Sequence, residues 1–351
     1  MTTGQISTVA DDDISWCHDA IDEVSRTFAI TVDRLDDPMA TKVCVGYLCC
    51  RIADTIEDAG HIPPVERASL LRTYDRVLDP EDEETAATFV EAATEWIPER
   101  TSDSWSPDWA VVERSPTVIR TFEGLDAEPR KIMRAPIREL VAGMAMFTER
   151  HADTDGLRIQ THAELEEYCW YVAGTVGTLI TGLLTRDVTE DRASELASNA
   201  RSFALLLQLV NVAKDVARDY HEENNVYLPA EWLSEAGVTD GPVTAPTNRE
   251  GVTAVISRVT EHASGYLDDA QRYLELLPER RGNTLGAWAI PYFLAVGTIR
   301  ELRARPEDVL GEGNVKVSRE EVYALVQRFE REVSRDELGE LRTEIASGSF
   351  P

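Results

Sequence analysis

Val43-Cys-Val-Gly-Tyr47-Leu-Cys-Cys50-Arg51-Ile-Ala-Asp54-Thr-Ile-Glu57-Asp58 couples a strongly apolar stretch to three carboxylates. On a helix, positions i, i+3 and i+4 share a face, so Asp54, Glu57 and Asp58 crowd onto one stripe. Like charges at that spacing destabilise an isolated helix. The apolar run ahead of them predicts a buried helix, and buried carboxylates need partners. A hard divalent cation is one such partner. Mg²⁺ takes a few carboxylate oxygens, keeps waters and binds substrate phosphates with the rest of its shell. A solvated helix end in an acidic chain is the plain alternative.

A second stretch repeats the arrangement. Phe203-Ala-Leu-Leu-Leu-Gln-Leu-Val210 leads into Asn211-Val-Ala-Lys214-Asp215-Val-Ala-Arg218-Asp219. Asp215 and Asp219 are at i, i+4, with Asn211 one turn earlier on the same face. Two core-like helices that both end in acidic stripes would, facing each other, hold Mg²⁺ ions bridged by a diphosphate. Such a site would stabilise a leaving pyrophosphate as its charge develops, which ionises an allylic diphosphate.

Helical spacing dominates the rest of the chain, and strand signals are scarce. Helices are expected over 14–32 and 39–57, the second opened by Pro38, and as a pair within 62–95 parted near Asp79-Pro80. A polar loop bearing Pro and Trp covers 98–115. Helical patterns resume over 117–150, 162–186 and 189–222. A connection rich in Pro and Gly spans 229–251, followed by helices over 252–276, 284–304 and 318–335. The tail beyond is expected to fray. The reading is one all-α domain over 1–351, with about a dozen helices and a helical core from 12 to 335.

These motifs resemble the two aspartate-rich motifs of the squalene and phytoene synthase family. Ser25-Arg26-Thr-Phe28 resembles the family's Ser-Arg-x-Phe segment. Tyr168-Cys-Trp-Tyr171-Val-Ala-Gly174-Thr-Val-Gly177 resembles its Tyr-Cys-x-Tyr-Val-Ala-Gly-x-Val-Gly segment, and Tyr227-Leu-Pro229 follows the second motif as expected. The resemblance spans roughly 15–235 and implies the all-α isoprenoid synthase fold around a central cavity. Asp54, Asp58, Asp215 and Asp219 become the expected metal ligands, supported by Glu57 and Asn211. Arg26, Arg51 and Lys214 match the family's diphosphate-binding cations. Tyr168 matches a tyrosine that acts in the first half-reaction, by its π-face or by relaying a proton. Phe28, Tyr47 and Trp288 are candidates to line the prenyl cavity, beside the ordinary reading of core aromatics. Lys316 matches a late basic position that approaches the cofactor or a phosphate. One departure stands out: Asn224-Asn225 occupies the stretch where the family carries an arginine.

Within the family, Asp-Thr-Ile-Glu-Asp, Ala289-Ile-Pro291 and Gly313-Asn-Val315-Lys316-Val317 lean toward squalene synthases. The resemblance then implies condensation of two farnesyl diphosphates to presqualene diphosphate and NADPH-dependent reduction to squalene. Phytoene synthesis from two geranylgeranyl diphosphates is the alternative, as is a dehydrosqualene or presqualene diphosphate product. No GxGxxG motif follows a strand, so NADPH would not bind through a Rossmann unit. A non-catalytic helical scaffold, from a different class, gives no reason to bury like charges together.

Acidic residues number 64 against 35 basic ones, for a net charge of −29. Such a surface repels nucleic acid, so none is expected as a partner. The acidity is spread in runs such as Asp11-Asp12-Asp13 and reads as a solvating coat for a high-salt interior, as in a halophilic archaeon. Cys17, Cys44, Cys49, Cys50 and Cys169 form no CxxC pair and read as small buried side chains in a reducing, cytoplasmic compartment. The N-terminus is polar and acidic, unlike a signal peptide. The uncharged stretch Tyr168–Thr185 approaches the minimum membrane span, but its glycines and threonines favour a core helix. Membrane contact is expected to be peripheral at most, for release of a hydrocarbon, with a monomer favoured.

Overall fold

A computed structural model describes residues 11–154, 156–186, 188–278, 284–311, 315–329, 334–348 and 350, without the side chains of Arg26 and Thr27. Among the described residues the architecture is all-α, as expected. The one β pairing is a parallel bridge between Arg158 and Val226.

The chain opens with α1 (Asp11–Val24), α2 (Arg26–Val32), α3 (Met39–Glu57), α4 (Pro64–Leu78), α5 (Ala86–Ala93), α6 (Pro107–Glu113), α7 (Ser115–Gly124) and α8 (Ala127–Arg150). In this group α3 is the hub, with α1, α4, α6, α7 and α8 packed around it. From Ala40 to Ala59 every residue is buried except Tyr47, Arg51, Asp54 and Asp58. Their spacing of four, three and four marks one helical stripe. The remaining surface is covered through Val43, Leu48, Ile52 and Ile56, all at 1% exposure or less. Each such side chain contributes about 1.5–3 kcal/mol on burial, so α3 is held in the interior with one stripe left open.

The second group runs α9 (His162–Cys169), α10 (Thr175–Leu184), α11 (Glu190–Lys214), α12 (Val216–Glu222), α13 (Ala230–Glu235), α14 (Arg249–Ser264), α15 (Leu267–Leu276), α16 (Thr284–Ala304), α17 (Arg319–Arg328) and α18 (Leu338–Ser347). Here α11 is the hub, against which α10, α14, α15 and α16 pack. A π-helical turn, Trp170–Gly174, joins α9 to α10. The turn and α10 touch both α8 and α11, bringing the two hubs together.

Several expected helices are split, each for a local reason. Ser25 is extended (φ −155°), and its hydroxyl accepts the Phe28 N–H, capping α2 and ending the helix expected over 14–32. The loop expected over 98–115 contains α6, because Pro107 sits in a first turn where a missing N–H costs nothing. Leu125 is extended and divides 117–150. Asp215 leaves helical geometry (φ −105°, ψ 10°) and divides 189–222. The tail expected to fray instead forms α18, whose Leu341 and Ile345 are buried as it packs on α16. The 168–185 stretch is core: Leu179, Ile180, Leu183 and Leu184 are buried, and no described helix is long and apolar enough to cross a membrane. All five cysteines are buried and free, as expected.

Candidate active site

The open stripe of α3 begins the site. Arg51 donates to Asp54 Oδ2 (3.1 Å), one turn on, and to Asp108 Oδ1 (2.7 Å) from α6. Burial raises the pKa of Asp54, against the pull of Arg51. Asp58 caps α3 and is pushed up to about 7, by burial first, then by Asp54 on its own helix and Asp219 from the other motif. The two acidic motifs therefore face each other.

The second motif supplies the opposite wall. Lys214 ends α11 and pairs with Asp215, where the helix breaks. The break does not disturb the i, i+4 relation, since the Asp219 N–H still donates to the Asp215 carbonyl (2.9 Å). Arg218 reaches both acids, at 3.2 Å from Asp215 and 3.1 Å from Asp219. Asp215 and Asp219 are nearly buried, at 9% and 8% side-chain exposure, and Arg218 is half exposed at 48%. Burial pushes Asp219 up to about 6, against Arg218. Asn211 is exposed one turn before Asp215.

Behind the carboxylates lies a buried polar chain. Tyr168 donates to Glu57 Oε2 (3.1 Å) and contacts the Tyr227 hydroxyl (3.2 Å), with the two rings stacked at 5.0 Å. Asn225 donates to the Tyr227 hydroxyl (3.0 Å) and to Glu223 (3.3 Å). The bridge through Val226, whose N–H donates to the Leu157 carbonyl (2.8 Å), anchors the segment that carries Tyr227. Glu57 is 2% exposed, so it turns inward, away from the open stripe on which Asp54 and Asp58 stand. Burial, with Asp58 and Asp54 nearby, raises its pKa well above the carboxylate range. Its Oε1 is buried without a hydrogen-bond partner.

The three aromatic candidates meet. Phe28 stacks on Tyr47 at 4.2 Å and lies edge-on to Trp288 at 6.3 Å. Tyr47 stands one turn before Arg51, so this apolar wall continues the stripe that carries the carboxylates. Arg26 begins α2, which places it next to this wall in the chain, but its side chain lies outside the described residues, as do Gly313 and Asn314. Lys316 is exposed. Its neighbour Val317 packs so closely on Gly297 of α16 that a Cβ there would meet Val317 Cγ1 at 2.3 Å. Among the described residues no hydrogen bond or ion pair joins Lys316 to the carboxylates.

Sequence reasoning overlooked Glu223. Burial pushes it up to about 10, with Asp58 and Asp219 adding repulsion. The signal was available, since Asp215, Asp219 and Glu223 continue one register of four. Asn225 and Asp108 were also missed, and only the chain's return in space reveals them. The stretch lacking the family arginine is occupied by another: Arg158 donates to the side-chain oxygen of Asn224 (2.8 Å).

Comparison with known proteins shows the family. The family model described as squalene/phytoene synthase matches residues 21–321. Squalene synthase of Schizosaccharomyces pombe is 26% identical over 313 residues, covering 88% of this chain and 64% of that protein. Human squalene synthase is 27% identical over 284 residues, covering 81% and 62%. The chain thus spans a little under two thirds of the length of these relatives. Among solved structures, a ligand complex of the protein designated TcSQS superposes with a TM-score of 0.73 at 22% identity, covering 97% of this chain and all of that one. A dehydrosqualene synthase complex gives 0.61 at 22% identity, covering 91% and 95%. At these identities the two structures speak for the fold.

Proposed function

The chain belongs to the squalene/phytoene synthase family, and we propose that within it the protein condenses two farnesyl diphosphates head to head. The observation that carries the reading is the nearness of Asp58, from the first motif, to Asp219 and Glu223, from the second, on a stripe of α3 that continues to Tyr47 and its partners Phe28 and Trp288.

The donor set fits a hard divalent cation. Five carboxylates, with Glu223 included, gather near Arg51, Lys214 and Arg218, and burial and mutual repulsion raise Asp58, Asp219 and Glu223. Asp54, Asp58, Asp215 and Asp219 would hold Mg²⁺, with Glu57 and Asn211 supporting from behind and above. Bound there, it supplies Lewis-acid stabilisation to the departing pyrophosphate.

The chain's own residues do the rest. Arg51, Lys214 and Arg218 orient the diphosphate. The C1–O bond of one substrate breaks, and the allylic cation is captured by the 2,3 double bond of the second. Loss of a proton from the former C1 closes the cyclopropane of presqualene diphosphate. Tyr168 sits where the carboxylate cluster meets the interior, and its hydroxyl is positioned by Glu57 and Tyr227 to move that proton. Phe28, Tyr47 and Trp288 exclude water from the cations.

Conversion to squalene rests on the likeness to squalene synthases. Lys316, the expected cation near the cofactor or phosphate, stands exposed, and among the described residues no hydrogen bond joins it to the carboxylates. Product analysis tests the reading. Purified protein in high salt with Mg²⁺ receives farnesyl diphosphate with and without NADPH, and geranylgeranyl diphosphate in parallel. Presqualene diphosphate without NADPH and squalene with it are expected. A C40 product from the C20 substrate alone would make the protein a phytoene synthase.

A further inference from the structure

His162 and Glu166 stand one turn apart on α9, and His262 lies in the last turn of α14. The two imidazole Nε2 atoms are 2.9 Å apart, and His262 Nε2 is 3.1 Å from Glu166 Oε1. All three residues are half-buried, with their ligand atoms within 4.8 Å of one another. Without an ion, the contacts are poorly matched. A neutral imidazole Nε2 either donates or accepts, so the single His262 Nε2 must serve both His162 and Glu166 with one proton or one lone pair. A cation placed among the three accepts a lone pair from each.

The surroundings hold these side chains in converging directions. The His162 ring stacks on Trp232 at 4.9 Å, and the Arg258 guanidinium covers the Trp232 ring at 4.0 Å. The His262 ring meets Tyr266 edge-on at 5.4 Å. Tyr266 donates to Glu166 Oε1, the oxygen that also faces His262, and Arg201 stands 3.5 Å from Glu166 Oε2, so both carboxylate oxygens are held in place.

We infer that His162, Glu166 and His262 form a metal site of their own, distinct from the carboxylate cleft and suited to a borderline divalent cation of the zinc type. Two nitrogens and one carboxylate favour such an ion over Mg²⁺. Zn–N bonds of about 2.0–2.1 Å in a tetrahedron separate ligand atoms by about 3.3 Å. The 2.9 and 3.1 Å contacts therefore need to widen only by a few tenths of an ångström. The half-exposed position leaves the fourth site to water. Glu166 and Tyr168 are two residues apart on α9, hence on opposite faces. The ion would clip α9 to α14 from behind and steady the helix that carries Tyr168.

The test uses the full chain, stripped with a chelator and titrated with Co²⁺ under saturating Mg²⁺, which fills oxygen-donor sites. The expected result is the strong visible absorption of four- or five-coordinate cobalt, saturating at one equivalent and displaced by Zn²⁺. H262Q should abolish it, and E166Q, which keeps shape and can still accept from Tyr266, should weaken it at least tenfold in affinity. D219N should leave it unchanged. Zn²⁺ should also raise the thermal midpoint of the wild type by a few degrees and leave that of H262Q unmoved. Absence of the cobalt spectrum from the wild type, or its persistence in both H262Q and E166Q, overturns the site.

Discussion

Asp58 sits between conflicting demands, as the cap of a buried helix and as one wall of an acidic cleft. Its pKa of about 7 lies well above the ordinary value of about 3.9. The folded protein holds this proton more tightly than the unfolded chain does. The resulting stabilisation is complete below the unfolded value and is lost as pH rises through about 7. Without divalent cations, D58N should therefore gain on the wild type between pH 5 and pH 8, by on the order of 1–3 kcal/mol. Denaturant melts at the two pH values measure this. Added Mg²⁺ should restore the wild type at pH 8 and do little for D58N, and equal pH profiles would sink the argument. Tyr168 makes a different prediction, because it lies behind the carboxylates. Y168F keeps the ring stacked on Tyr227 and loses only the hydroxyl. Formation of presqualene diphosphate should fall by about 10²–10⁴-fold, while the KM for farnesyl diphosphate stays within a few fold. A matching rise in KM would instead make the hydroxyl a binding group.

At the scale of elements, the site depends on irregularities that helical periodicity does not announce. Asp215 interrupts α11 at the first acid of the motif, and a π-helical turn begins two residues after Tyr168. Such turns recur at functional sites, because the extra residue re-aims the side chains that follow. Here Tyr171 is brought against Gly143 of α8, where a Cβ would meet Tyr171 Cγ at 2.3 Å. That contact involves the base of a ring and cannot be relieved by a flexible tip. G143A should destabilise the protein by about 1–3 kcal/mol through overpacking, read from the urea midpoint. An unchanged midpoint would mean that the π-turn yields easily.

For the whole molecule, the dominant quantity is charge. A net −29 is accompanied by four lysines and 31 arginines, and two of those lysines are Lys214 and Lys316. Many arginines are spent in surface ion pairs such as Arg120–Asp13 and Arg303–Glu261. Each is worth about 0–1 kcal/mol, too little to offset the repulsion of so many unpaired acids. Salt should do so, since the Debye length falls from about 10 Å at 0.1 M to about 3 Å at 1 M. The thermal midpoint should rise from 0.1 M to 2 M KCl, by more than any loss from screening the ion pairs. Full stability and activity in dilute buffer would remove the high-salt reading.

The all-α class and the two acidic motifs were legible in the sequence, because apolar periodicity and carboxylate spacing are local properties of a helix, and the likeness of several motifs supplied the family. Asp54, Asp58, Asp215 and Asp219 could all be named from spacing. Which side chains meet follows instead from how the helices pack. Glu57 shares a stripe with Asp54 and Asp58 on paper, yet α3 is enclosed on nearly every side, so Glu57 turns inward to Tyr168. Asn225 joins the site because the chain after α12 returns beside Leu157 through one β-bridge. Arg218, half exposed on α12, pairs with Asp215 three residues back and with its neighbour Asp219, contacts that local spacing already offered. His162, Glu166 and His262 converge only once α9 packs beside α14. These meetings depend on how helices distant in sequence are laid against one another, and a pattern of spacing along one helix carries no record of that.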